Sequence, residues 1–296
     1  MRTLLAFLLL MSLALPAAAA GKIEIVHDGE TRRFYVEYPA GPRPAPAIVV
    51  LHGAGSNPNQ MRRLTRFALH ERGWVEIYPE GINREWNDGR TGADGKPLHR
   101  ADDLGFLRAI LDRLAAEGLI DPARVFFTGL SNGGAMTLRV ICQAPELVAG
   151  AAVVIMNQPV GMECPDGPPV PLLFIQSADD PLIPFAGGPI TLPSKADRGS
   201  VLSAGETLAR YALRNRCGAW EEIAITDHFP GDGTRVRLHA YRGCAQPLFQ
   251  YIIDGGGHTW PGNKNHRWVR KLLGRTSLDI SATFEIESFF TDLLRR

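Results

Sequence analysis

The chain alternates between short apolar runs and longer amphipathic stretches. Ala47–Leu51 is apolar without interruption, as expected of a parallel strand buried on both faces. Trp74–Tyr78, Arg124–Thr128, Ala151–Met156, Val170–Gln176 and Leu248–Ile253 read as further strands. Between them lie stretches of helical period. Asp103–Glu117 is the clearest, with Leu104, Leu107, Ile110, Leu111 and Leu114 on one stripe. Asn59–Arg72, Asn132–Cys142, Leu202–Arg216 and Ala282–Leu294 complete the helices. Lys22–Val26 and Arg33–Tyr38 read as early antiparallel strands joined at Asp28-Gly29. Glu222–Asp227 and Arg235–Tyr241 read as a later hairpin. Gly81–Pro97 and Pro181–Pro193 carry no period and are expected to be loops. Strands alternating with helices predict an α/β fold with a mostly parallel sheet covered on both faces. Ligands then bind at the carboxyl ends of the strands.

The first twenty residues stand outside that pattern. Met1-Arg2 is a positive start, Leu4–Leu15 is apolar, Pro16 breaks the run, and Ala17–Ala20 offers small-residue cleavage before Gly21. The expectation is a signal peptide over 1–20 and one catalytic domain over 21–296. The product would be secreted or periplasmic and free of the membrane once cleaved. A membrane anchor is the other reading, but the apolar run is short for a bilayer.

Composition sharpens this picture. In 296 residues the formal net charge is +1, so no strong field draws nucleic acid or an anionic membrane. The four cysteines, Cys142, Cys164, Cys217 and Cys244, suit two disulfides in an exported protein. Three connectivities are open; the sequence-local one is Cys142–Cys164 with Cys217–Cys244. Free buried thiols are the alternative. No C-x-x-C occurs, and neither metal nor cofactor is expected.

Candidate chemistry falls at the strand ends. Gly129-Leu130-Ser131-Asn132-Gly133 is a G-x-S-x-G between a predicted strand and a predicted helix, where only glycines fit beside an exposed serine. An ordinary strand–helix turn is the rival reading. A serine nucleophile needs a base, and the base an orienting acid. His258 follows the last predicted strand in Gly255-Gly256-Gly257-His258-Thr259-Trp260-Pro261-Gly262. Asp180 follows the strand before it, in Gln176-Ser177-Ala178-Asp179-Asp180-Pro181, with Asp179 its neighbour and rival. The order Ser, Asp, His is that of a strand–turn–helix serine hydrolase. The oxyanion donors would be the backbone N–H groups of Asn132 and of Ala54, in His52-Gly53-Ala54-Gly55-Ser56. His52 reads as a pin for that loop. Trp86 and Trp260 are candidates for pocket walls, with core packing as the equal alternative. Arg267–Arg275, with Trp268, reads as a solvated face.

These motifs, from about Arg33 onward, resemble the secreted polyhydroxybutyrate depolymerase-like esterases, related to feruloyl esterases. The marks are Leu51-His52-Gly53, Tyr78-Pro79-Glu80-Gly81 with Trp86-Asn87-Asp88, Asp102-Asp103-Leu104-Gly105-Phe106, Gly129–Met136 and Gly255–Gly262. The resemblance implies an α/β-hydrolase fold and a serine carboxylesterase. Aligning the family's acid motif, similar to H-G-x-x-D-x-x-V-P, places the acid on Asp180. This chain has Gln176-Ser177 where His-Gly is usual. The substrate would be a small or oligomeric ester: short-chain, hydroxyalkanoate or hydroxycinnamoyl. With no long apolar insertion to act as a lid, palmitoyl esters should be poor substrates. A serine peptidase or acyltransferase on the same scaffold is the alternative, and a non-catalytic binding protein a further one.

Overall fold

The structure, a computed structural model, describes residues 21–191, 197–265 and 267–296. The expected signal peptide over 1–20, the end of the proline-rich loop at Pro193, and His266 lie outside the described residues. In chain order the elements are β1 (Gly21–His27), β2 (Glu30–Glu37), β3 (Ala45–Leu51), α1 (Pro58–Thr65), β4 (Val75–Pro79), α2 (Asp103–Ala116), β5 (Ile120–Leu130), α3 (Asn132–Gln143) and β6 (Gly150–Val154). They continue with β7 (Leu172–Ser177), β8 (Gly188–Pro189), β9 (Ser200–Val201), α4 (Ala204–Arg214), β10 (Trp220–Ala224), β11 (Arg235–Tyr241), β12 (Leu248–Asp254), α5 (Arg267–Leu273) and α6 (Ala282–Leu294).

Ten strands form one sheet in the order β1-β2-β4-β3-β5-β6-β7-β12-β11-β10. The six central strands, from β4 to β12, run parallel. An antiparallel pair closes each edge. The chain winds outward from β3 to β4, then returns to place β5 on the other side of β3. That reversal opens a crevice at the carboxyl ends of β3 and β5.

Strand alternation divides the core in two. Val49, Leu51, Phe127, Val153 and Phe174 face one way, against α2, α3 and α4. Ile48, Val50, Phe126, Val154 and Ile175 face the other, against α1 and α6. Helix starts are capped where the sequence offers the side chains. Asn57 accepts from Gln60 N, Asp102 from Gly105 N, and Ser203 forms a reciprocal capping box with Glu206.

Two expectations are corrected. The helix expected over Asn59–Arg72 stops at Thr65, because Arg66 turns left-handed with φ 51°. A continued helix would turn Phe67 away from the stripe of Met61 and Thr65; the break buries it instead. The late hairpin begins at Trp220 and leaves Ile225–Asp227 unpaired. The run 267–275 is a solvated face as expected: it carries α5, and Trp268 on it is 68% exposed.

Cys142–Cys164 and Cys217–Cys244 are disulfide-bonded, tying α3 and the end of α4 to the loops that follow β6 and β11. Closing loops of 22 and 27 residues restricts the unfolded chain, a stabilisation of about 3 kcal/mol each in the chain-entropy picture. Among the described residues, no helix is long and apolar enough to cross a membrane.

Candidate active site

Ser131 sits on the one-residue turn between β5 and α3. Its φ of 56° and ψ of −122° are rare for a residue with a side chain, a strain of about 1–3 kcal/mol that the surroundings must enforce. The enforcement is backbone packing. A Cβ on Gly129 would lie 2.3 Å from the Gly133 carbonyl, and one on Gly133 2.3 Å from Leu51 O. Ser131 N–H donates to Val154 O across the sheet at 3.0 Å. The turn thus holds the hydroxyl at the crevice with the N-terminus of α3 beside it.

The Asn132 side chain anchors this turn sideways. Its Oδ1 accepts from Trp86 N at 2.8 Å, and its Nδ2 donates to Trp86 O at 3.1 Å and Asp88 Oδ2 at 2.6 Å. Asp103 supports the same loop, while Asp102 beside it caps α2. Asp103 is wholly buried, bonded to Arg32 at 2.6 Å and to Asn87 N at 2.7 Å. Burial raises the Asp103 carboxyl above its ordinary range.

Across the crevice, His258 Nδ1 lies 2.7 Å from Asp180 Oδ2. The side chains are 9% and 1% exposed. Asp180 Oδ1 also accepts from Leu182 N at 2.7 Å and Ile183 N at 2.9 Å, so the loop's own amides aim the carboxylate. Asp179 points elsewhere and accepts from Gly255 N at 2.7 Å. Adjacent carboxylates therefore divide: one meets the imidazole, the other ties down the loop that carries it. Gln176, standing where the resemblance expects His, is buried between Gln250 Nε2 at 2.7 Å and Asn157 Oδ1 at 2.5 Å. Asn157 in turn donates to Pro184 O in the Asp180 loop at 3.1 Å.

The loop after β3 forms the third side. His52 is fully buried; its Nε2 accepts from Gly81 N at 3.0 Å, which leaves Nδ1 to donate to Gly53 O at 2.9 Å. Burial lowers its pKa to about 4, and the ring is neutral in this role. Ala54 is exposed at the tip of the loop. Among the described residues, no hydrogen bond consumes the Ala54 or Asn132 N–H.

Ser131, Asn132, Ala54 and His258 line one cavity of about 430 Å³. Leu182, Ile183 and Ile190 from the proline-rich loop wall it on one side, and Glu85 and Arg90 from the glycine-rich loop on another, with Arg198 beside them. Trp86 and Trp260 are not among its walls. Trp86 is fully buried and donates to His52 O at 2.9 Å. Trp260 is buried against Phe67 and donates to Thr283 Oγ1 at 3.1 Å. Both indoles are large apolar bodies whose single N–H is spent inside the protein, beneath the site rather than facing it. The sequence reading missed Glu85, Arg90 and Arg198, which lie in segments without a period. Asp88 was visible only as part of a motif.

No family model matches the chain. It is 31% identical over 257 residues to NocK of Nocardia uniformis subsp. tsuyamanensis, which is named as an esterase; the match covers 81% of this chain and 73% of NocK. It is 23% identical over 241 residues to feruloyl esterase B of Piromyces equi, covering 77% of this chain but only 42% of that protein's length. Among solved structures, an acetyl xylan esterase from Aspergillus awamori superposes with a TM-score of 0.59 at 14% identity, over 82% of this chain and 94% of that one. That likeness is one of fold.

Proposed function

The chain belongs to the esterase family that includes NocK, carboxylic ester hydrolases of the α/β-hydrolase fold, and from that premise we propose a serine mechanism centred on Ser131. The observation that carries it is the Asp180–His258 pair at 2.7 Å, in a cavity that Ser131 also lines. Asp180 fixes the imidazole with Nδ1 protonated and Nε2 free to accept. His258 takes the Ser131 proton as the hydroxyl attacks the ester carbonyl. The Ala54 and Asn132 N–H groups receive the oxyanion, their hydrogen-bonding capacity being unused among the described residues. The imidazolium returns the proton to the leaving alcohol. Water, deprotonated by the same imidazole, then releases the acid from Ser131.

The substrate is a short-chain, hydroxyalkanoate or hydroxycinnamoyl ester. A cavity of about 430 Å³, mostly apolar in lining, suits such groups better than a long acyl chain. A panel of 4-nitrophenyl esters, methyl ferulate and hydroxybutyrate trimer tests this. Acetyl to butyryl or hydroxycinnamoyl esters should give the highest kcat/KM, without activation at an oil–water interface. Preference for palmitoyl esters overturns the reading of the cavity. The mature enzyme is exported after cleavage before Gly21; N-terminal sequencing of the protein recovered from outside the cytoplasm checks this.

A further inference from the structure

The cavity lining is of two kinds. Met61, Leu64, Leu182 and Ile190 are apolar, while Glu85, Arg90 and Arg198 are charged. Apolar lining is what an ester needs. Two guanidinium groups are not; each is held by an acid, Arg90 by Asp88 and Arg198 by Glu85, but hydrolysis at Ser131 gives the unpartnered Arg90 Nη2 nothing to do.

Arg90 is only 3% exposed. Its Nε donates to Asp88 at 2.8 and 3.0 Å, and its Nη1 to Arg198 O at 3.1 Å. Its Nη2 has no partner among the described residues. Arg198 donates from Nη2 to Glu85 Oε1 at 2.7 Å, and His99 Nε2 faces the other Glu85 oxygen at 2.7 Å. Glu85 Oε2, like Arg90 Nη2, makes no hydrogen bond among the described residues, so this side holds one unmade acceptor beside the unmade guanidinium donor. Guanidinium has no acceptor atom, so what completes it must be an oxygen acceptor. Leaving a buried donor unmade is unfavourable, and a carboxylate makes the strongest such bond. The wall is also fixed in place. Asp197 accepts from Ala93 N at 2.6 Å and joins the two arginine-bearing segments, and a Cβ on Gly199 would strike Thr91 O at 2.6 Å. Asp88 links Arg90 to Asn132, so this corner adjoins the oxyanion side of Ser131.

We propose that Arg90 and Arg198 form a carboxylate-binding corner, and that the preferred substrate is an ester bearing a free acid group. A hydroxyalkanoate oligomer with its terminal carboxylate, or a dicarboxylic hemiester, has this form. The proposal rests on the ester-hydrolase reading of the same cavity.

The test separates binding from turnover. In the full chain carrying Ser131→Ala, titration calorimetry compares monomethyl glutarate with dimethyl glutarate. The hemiester is expected to bind about tenfold tighter, an advantage of about 1.4 kcal/mol. Adding Arg198→Gln, or Arg90→Gln with Asp88→Asn to avoid stranding a buried carboxylate, should bring the ratio towards one. Where the triple variant fails to fold by circular dichroism, the Arg198→Gln ratio decides. Equal affinity for the two esters, or a ratio that survives the substitutions, overturns the corner. Turnover of neutral 4-nitrophenyl butyrate and phosphonate labelling of Ser131 report on the serine mechanism alone, so the two readings fail separately.

Discussion

The crevice is built by two different methods on its two sides. On the Ser131 side, backbone is jammed against backbone: Gly129 meets Gly133, and Gly133 meets Leu51. On the Arg90 side, a relay of buried side chains does the holding, from Asn132 to Asp88 to Arg90. The first depends on missing atoms, the second on charges that must all be present. Jammed backbone admits no substitute for glycine. A polar relay tolerates change only if its partners change together.

The largest effect should come from the rigid side. Ser131→Ala removes one oxygen and leaves the turn intact, and activity should fall roughly 10⁴-fold with loss of phosphonate labelling. Labelling that persists at another residue would remove Ser131 from its role.

Asp180→Asn should lower kcat/KM roughly 10³-fold, because an amide no longer selects the imidazole tautomer. Asp179→Asn should cost less than about tenfold, since it loses only a contact to Gly255. The reverse ranking would exchange the two carboxylates.

Asp88→Ala strands the Arg90 charge in the wall and should cost about 3–5 kcal/mol in chemical denaturation. Adding Arg90→Met should recover most of that loss. Gly133→Ala should resist rescue by any second side-chain change, because its collision is with the Leu51 carbonyl. Recovery at Gly133, or none at Asp88, would erase the contrast between the two sides.

The smallest effect should be the pH dependence of His52. Its folded pKa of about 4 lies below the ordinary 6.5, so the unfolded chain binds more protons between these values. The stabilisation is whole above pH 6.5 and is lost as pH falls towards 4, up to about 3 kcal/mol. His52→Gln should flatten that slope of unfolding free energy; a slope left unchanged would assign it to other groups.

Legibility follows the same division. The elbow strand, its helix and the loop after β3 could be read because backbone geometry demands glycine and apolar runs at set positions. The disulfide pairing stood as one of three connectivities until the fold brought the sulfurs together. Trp86 and Trp260 misled in part because an aromatic residue beside a motif has the same letters in a core as in a pocket. Arg90 and Arg198, 108 positions apart, gave no sign of meeting.

The amino-acid sequence by itself determined the parallel α/β order, the turn that carries Ser131, and the presence of His258 and an aspartate after the last two parallel strands. Those are local properties: period, propensity and the steric need for glycine. Only the tertiary structure decided that Asp180 rather than Asp179 meets His258, that both indoles lie beneath the cavity, and that two distant arginines share its wall. Each depends on the direction of a side chain across a long-range contact, set by the packing of loops that local propensity leaves open.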